Sequence, residues 1–305
     1  MSTTANTAIT TEVGHIKGIS LVLLAGVFWS IAGIIVRLIE SASEWQILFY
    51  RSGSLAVMLV IVLAVQNRRA LLTTFRAAGT AGVVGGLCLA VGFTCWIFAL
   101  THTTVANALF LLATAPFIVA ILARLVLGER VKRATWVAML VATVGITVMV
   151  GEGIAVGTLF GNVMGLGAAL GFSGFTVALR YGKTVNMLPT VCFAGVFATL
   201  SSGIMIVATG HGITIPANDL WLCTMLGVVQ IGCGLILYTI GSRYVPAAEL
   251  ALLSLTEVVL GPIWVWIGVG EVPSVLTLLG GVIVLVAVGA RALLEVRRRP
   301  PIGVV

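Results

Sequence analysis

The chain has 305 residues, 60% of them hydrophobic and 9% charged, with a mean hydropathy of +1.18. That balance excludes an ordinary soluble domain, in which about a quarter of the residues are charged. The formal net charge of +7 sits mostly between apolar runs, where Lys and Arg read as topology signals facing anionic lipid and not as a nucleic-acid surface.

Ten apolar runs follow in chain order, near residues 18–36, 45–66, 81–100, 104–127, 134–151, 158–179, 188–209, 219–241, 246–269 and 274–294. Each is close to the ~20 residues that a helix needs to cross a bilayer. The pattern predicts an all-α integral membrane protein of ten transmembrane helices. Residues 1–17 are polar and carry no signal-peptide pattern, so the first run reads as an uncleaved anchor and 1–17 as a tail. Residues 296–305 form a basic tail at the other end.

Orientation follows from the basic residues. With the N-terminus inside, 15 of the 17 Lys and Arg fall on the cytoplasmic side, leaving Arg37 outside and Arg51 within a span. Both termini are then cytoplasmic and the protein is expected in a plasma membrane (the inner membrane in a Gram-negative cell). The five cysteines, Cys88, Cys95, Cys192, Cys223 and Cys233, have no metal-ligand spacing and read as small apolar residues. No H-E-x-x-H and no G-x-x-x-x-G-K-[ST] occurs, so neither a metal nor a nucleotide cofactor is expected.

The chain also repeats itself. Arg37 and Arg180 close the first and sixth spans, 143 residues apart, and Leu127-Gly128-Glu129 matches Val269-Gly270-Glu271 at an offset of 142. Gly92 and Trp96 fall on Gly234 and Tyr238, Thr114 on Thr256, and Trp29-Ser30 on Phe172-Ser173. Five spans per copy turn the second copy upside down. The expected domains are therefore 18–151 and 152–295, two inverted five-helix repeats of the kind that alternating-access carriers use.

The stretch Ala99-Leu100-Thr101-His102-Thr103-Thr104-Val105-Ala106-Asn107-Ala108, with Ala115-Pro116-Phe117 and Leu127-Gly128-Glu129-Arg130, resembles the EamA-type domain of the drug/metabolite transporter superfamily. Glu257 to Trp264 with Gly270-Glu271 resembles that family's ninth helix, although the proline expected soon after Glu257 is delayed to Pro262 and Val272 stands where Arg is common. The resemblance implies a secondary transporter. It leaves the substrate open among amino acids, other metabolites, drugs and sugars.

Charges in hydrocarbon are costly, so intramembrane ionisable residues are functional candidates. Glu257, in mid-span, could bind a proton or the cationic end of a substrate, and Arg51 could contact a carboxylate; the competing reading is structural, with Glu257 paired to Arg51 or to helix-end donors. Asn107 and Glu249 are repeat equivalents expected at opposite-facing cavities or, alternatively, satisfying helix-start backbone. Gln230 either bonds a neighbouring helix or faces a wet path. Trp96 with Tyr238, and Trp29 with Phe172, would line an apolar wall or simply pack. Trp45, Trp136 and Trp221 read as interfacial, and Trp264 and Trp266 as either. Gly82-x-x-x-Gly86, Gly161-x-x-x-Gly165 and Gly167-x-x-x-Gly171 predict close helix contacts. Glu129 and Glu271 read as caps or partners of loop cations such as Arg130 or Lys132.

One rival comes from enzyme chemistry. Gly171-Phe172-Ser173-Gly174 spells the G-x-S-G of intramembrane serine proteases, which also needs a histidine within reach, and His15, His102 and His211 are all expected in loops or tails. The sequence favours a non-enzymatic exporter of small metabolites, amino acids (including aromatic ones) first, with export of lipophilic or cationic drugs as the alternative. Its partners would be that substrate, protons and the bilayer, and its oligomeric state is open.

Overall fold

The structure is a computed structural model, and it describes residues 2–66, 70–103, 105–150, 159–210, 212–269 and 275–297. Helices α1 (Ser2–Ser30) and α2 (Ala32–Arg37) make span 1, α3 (Glu44–Gln66) span 2, and α4 (Leu71–His102) span 3. Span 4 is α5 (Val105–Leu112) with α6 (Ala115–Leu127); spans 5, 6 and 7 are α7 (Arg133–Val150), α8 (Leu159–Tyr181) and α9 (Leu188–Ala208). Span 8 joins α10 (Ala217–Met225), a π-helical segment (Leu226–Cys233) and α11 (Gly234–Gly241). Span 9 is α12 (Ala247–Ser254) with α13 (Thr256–Val269), and span 10 is α14 (Val275–Arg297). Among the described residues, eight of the ten spans contain helices long and apolar enough to cross a membrane; spans 5 and 10 contribute shorter apolar helices.

Helix is the only local structure that satisfies every backbone group within one segment, and hydrocarbon offers no water to satisfy them otherwise. Large aliphatic side chains therefore point outward, as at Val57, Ile61, Leu125, Val207 and Ile267, while the interfaces are built from small residues. Gly171 of α8 shows how close the approach is. A Cβ there would stand 2.5 Å from Cys88 O and 2.7 Å from Gly92 Cα of α4. Gly86 of α4 meets the backbone of Thr190 and Ala194 in α9 in the same way.

The packing is two-fold symmetric in its pairings. Span 3 runs along span 6, and five spans later span 8 runs along span 1. Span 4 against 6 matches span 9 against 1, and span 3 against 7 matches span 8 against 2. Spans 2 and 7, 5 and 10, and 4 and 9 pair with their own equivalents.

Two expectations change. Span 3 begins near residue 81 in the sequence reading, but helix α4 starts at Leu71, with Gly79 at φ +57° bending it where the apolar run begins. The tail expected over 1–17 is helical from Ser2, and the apolar span begins at Gly14. His15 is consequently a buried helix residue, 5% exposed, and not a tail residue. The five cysteines are free, two buried and three half-buried.

Gly171→Ala is expected to cost about 1–3 kcal/mol by overpacking. Gly289→Ala, whose Cβ meets nothing within 4 Å, should be neutral or stabilising by up to about 1 kcal/mol. Thermal unfolding of the two purified variants in detergent tests the contrast; equal melting temperatures would remove the close contact between spans 3 and 6 from the stability of the fold.

Candidate functional site

Spans 4 and 9 are interrupted at equivalent places, Ala113–Thr114 and Leu255, 142 residues apart. In span 4, Pro116 lies in the first turn of α6 and cannot donate to the carbonyl one turn back. Span 9 breaks without a proline at the matching position. What the two share is a threonine that repairs the break: Thr114 Oγ1 donates to Leu111 O at 2.6 Å, and Thr256 Oγ1 donates to Leu253 O. Each hydroxyl occupies a carbonyl near the interrupted ladder, as broken membrane helices require. Thr256 packs on Gly26 of α1, where a Cβ would lie 3.1 Å from the hydroxyl oxygen.

Glu257 is thereby placed in the first turn of α13, where the helix dipole favours negative charge. It is half-buried. Among the described residues no donor and no cation is bonded to its carboxylate.

An aromatic cluster stands beside it. The repeat equivalents Trp29 and Phe172 meet edge to face with centroids 5.8 Å apart, which puts the pseudo-two-fold axis between them. Tyr238 packs on both, at 5.2 and 5.4 Å, and Phe175 stacks behind Tyr238 at 6.3 Å. The Tyr238 hydroxyl lies 2.9 Å from Thr176 Oγ1 and within electrostatic reach of Glu257. Gln230, in the π-helical segment, donates from Nε2 to Trp29 O at 3.1 Å. This is the inter-helix reading of that amide, although its Oε1 stays buried without a partner. Trp264 Nε1 donates to Ser30 Oγ at 2.7 Å, and Ser30 in turn donates to Val27 O.

The remaining predicted residues lie elsewhere. Trp96 is half-buried and stands outside the ring cluster; the side chain of Asn107 lies outside the described residues. Arg51 is 3% exposed, with its Cζ 4.9 Å from the Phe93 ring, and it is not paired with Glu257. The competing reading of an Arg51–Glu257 pair does not fit, because the two residues sit at different depths.

Glu249 faces no open cavity. Its carboxylate lies 3.2 Å from Arg291 Nη2 and 3.9 Å from His15 Nε2, with all three side chains buried. Arg291 Nε donates to Thr135 Oγ1 at 2.9 Å, and His15 Nδ1 lies 3.0 Å from Tyr244 O. Spans 1, 5, 9 and 10 and the 8–9 turn are thus tied at one point of the basic end of the bundle. A second tie sits nearby: Arg180 Nε donates to Glu129 Oε1 at 2.8 Å and Nη1 to the carbonyls of Ser242 and Arg243. Glu129 pairs with Arg180, a cation the sequence reading did not name for it; Glu271 lies outside the described residues. At the far end Asp219 accepts from the N–H of Glu40, Ser41 and Ala42, and Gln46 and Tyr50 donate to the carbonyls of Gly212 and Ile213.

The sequence reading missed Phe175, Thr176 and the His15–Glu249–Arg291 group. The first two carry only helix spacing as a signal; the third joins residues up to 276 positions apart (15 to 291), which no local pattern links. A small apolar cavity at the span 4 break, lined by Phe110, Ala113, Thr114, Phe117, Thr143 and Ile146, was also not foreseen.

Protease chemistry finds no support in this geometry. Ser173 Oγ lies 2.6 Å from Ala169 O and 3.3 Å from Ala115 O, both of which accept from it, and is fully buried. Of the histidines, His15 and His102 bond elsewhere, and His211 lies outside the described residues.

A ten-span, two-repeat bundle with an unpaired carboxylate at a helix break beside an aromatic wall defines a membrane transporter. The comparisons give the family. Residues 16–151 and 159–290 match the EamA-like transporter family, one match per repeat, and the chain belongs to that family. It is similar to the pseudopaline exporter CntI of two Pseudomonas aeruginosa strains, 27% identical over 278 residues that cover 89% of this chain and 94% of the exporter. A solved crystal structure superposes with a TM-score of 0.76 at 18% identity, covering 93% of this chain and 99% of its own, a likeness of fold. The protein is a multi-pass membrane transporter of the drug/metabolite superfamily that moves a small molecule.

Arg291→Ala would leave Glu249 buried without its cation. Thermal unfolding in detergent should show a loss of about 3–5 kcal/mol, with Glu249→Leu/Arg291→Leu recovering most of it. An Arg291→Ala protein as stable as the parent would show that the tie does not hold the basic end.

Proposed function

We propose that the protein exports a small zwitterionic metabolite, amino acids and their derivatives first, by alternating access between its two repeats. One observation carries this reading: the Glu257 carboxylate, without a partner at the break in span 9, beside the Trp29, Phe172 and Tyr238 rings. A carboxylate kept free in a mostly apolar bundle suits the ammonium group of a solute, a proton, or each in turn. The rings supply the apolar wall of a small-molecule site, with Thr176 and Gln230 as its fixed polar edge. That a relative exports pseudopaline supports a metabolite as the cargo and export as the direction.

Both termini are placed in the cytoplasm by the positive-inside bias, so the basic end is the cytoplasmic gate. In this reading Glu249 is a gate residue, not a substrate contact. Loading from the cytoplasm separates Glu249 from Arg291 and His15, and release separates Asp219 from the 40–42 turn. The repeats 18–151 and 152–295 rock about the Trp29–Phe172 contact.

Export of lipophilic cations is the second reading. The observation behind it is that Arg51 does not stand beside Glu257, which leaves the ring cluster with a negative charge alone.

Counterflow in proteoliposomes, with labelled amino acids and lipophilic cations and with or without a pH gradient, separates the two. Glu257→Gln should lower the rate by at least about ten-fold, the scale of one lost charge-assisted contact, and abolish any pH dependence. Unchanged transport at every pH would take Glu257 out of the mechanism.

A further inference from the structure

Among the described residues Arg51 is a second buried charge whose side-chain nitrogens lack a bonded partner, and its surroundings are more specific than a buried cation requires. The Arg51 cation lies over the Phe93 ring, with Cζ 4.9 Å from the centroid, a cation–π contact that leaves its N–H groups to other partners. Nε and Nη2 are buried and have no acceptor. These two nitrogens present parallel N–H groups along one edge of the guanidinium, the fork that a carboxylate fills with both oxygens.

Among the described residues no acid takes that place. Asp219, on the neighbouring span 8, gives both oxygens to the backbone N–H groups of residues 40–42. Glu257 is out of reach, and the helix contacts say by how much. The Arg51 carbonyl abuts Gly227 of span 8, Gly234 of span 8 abuts the Trp29 indole, and Gly26, one turn before Trp29, abuts the Glu257 backbone. Seven residues along span 8, nearly all π-helical and so rising less than the 1.5 Å of an α-helix, and three along span 1 amount to roughly 12 Å of depth. Side chains lean toward their helix N-termini, so Arg51 leans toward the far end and Glu257 toward the basic end, away from each other. A free α-amino acid, with its two charged groups on one carbon, cannot touch both at once.

We propose that Arg51 is a second, separate station of the transport path, which takes a carboxylate edge-on while Glu257 takes the ammonium group at a different depth. The inference rests on the zwitterion reading above and refines its substrate class. An α-amino acid meets the two stations in succession. A longer amino-acid derivative, with its amine and a carboxylate separated by most of the gap, bridges them and is the better substrate.

The test uses two single-charge probes on the purified full-length protein in nanodiscs, 3-phenylpropionate for the carboxylate and 2-phenylethylamine for the amine. Both should bind together, each changing the other's Kd by less than two-fold. Arg51→Gln should weaken 3-phenylpropionate at least ten-fold and leave 2-phenylethylamine as it was. Arg51→Lys, which keeps the charge and loses the fork, should weaken it by several fold. Competition between the probes, no 3-phenylpropionate binding to the parent protein, or binding indifferent to a folded Arg51→Gln would each overturn the station. Arg51-dependent carboxylate binding alongside amine binding that ignores Glu257→Gln would uphold the station and refute the assignment of Glu257.

Discussion

The structure depends on one constraint: in hydrocarbon a freed backbone group has no water to turn to. Continuous helices meet it without effort, so each interruption has to be compensated locally. Thr114 and Thr256 do so at equivalent breaks in spans 4 and 9, each by donating to a carbonyl three residues back. The breaks are where a carboxylate can stand at a helix start instead of against a helix wall. Glu257 occupies that place in the second repeat, and Thr256 against Gly26 fixes its position relative to span 1.

Small residues decide what reaches the axis. Gly171 against Gly92, and Gly234 against Trp29, let spans 6 and 3 and spans 8 and 1 approach until side chains from both repeats meet. Trp29 and Phe172 are repeat equivalents, and they end up in contact because each projects toward the axis relating the copies. Ser30 and Ser173 follow the same logic: each donates to its own helix, and each also bonds to the broken span of one repeat, Trp264 in span 9 and Ala115 in span 4. A serine that looks like a nucleophile in the sequence is, in this setting, half of a symmetric helix contact.

The charges within the bundle fall into two groups. Glu249, Arg291, Glu129, Arg180 and Asp219 are paired or bonded to backbone near the two ends, where separating them is compatible with water entering. Among the described residues nothing is bonded to Glu257 or to the Nε and Nη2 of Arg51, and both lie deeper. Keeping an ion unpaired in such a place is costly, and the cost is most readily offset when a transient ligand supplies the missing partner. The distribution fits a carrier whose gates are protein–protein ion pairs and whose binding stations are charges that await a solute.

The sequence by itself determined the ten spans, the two-fold repeat and the candidates Glu257, Trp29, Tyr238 and Gln230. Span length, charge bias and a constant offset are local or periodic properties, and hydrophobic thickness acts on each helix separately. The α4 start and the burial of His15 escaped it, since polar residues flanking an apolar run say nothing about what packs on them. Only the tertiary structure decided which charges are free. Glu249 and Glu257 look alike in sequence, eight residues apart on one span, yet Arg291 and His15 reach the first and, among the described residues, nothing bonded reaches the second. Their difference lies in the partners that other spans bring to each depth, and a partner from span 1 or span 10 leaves no trace in the residues around either glutamate.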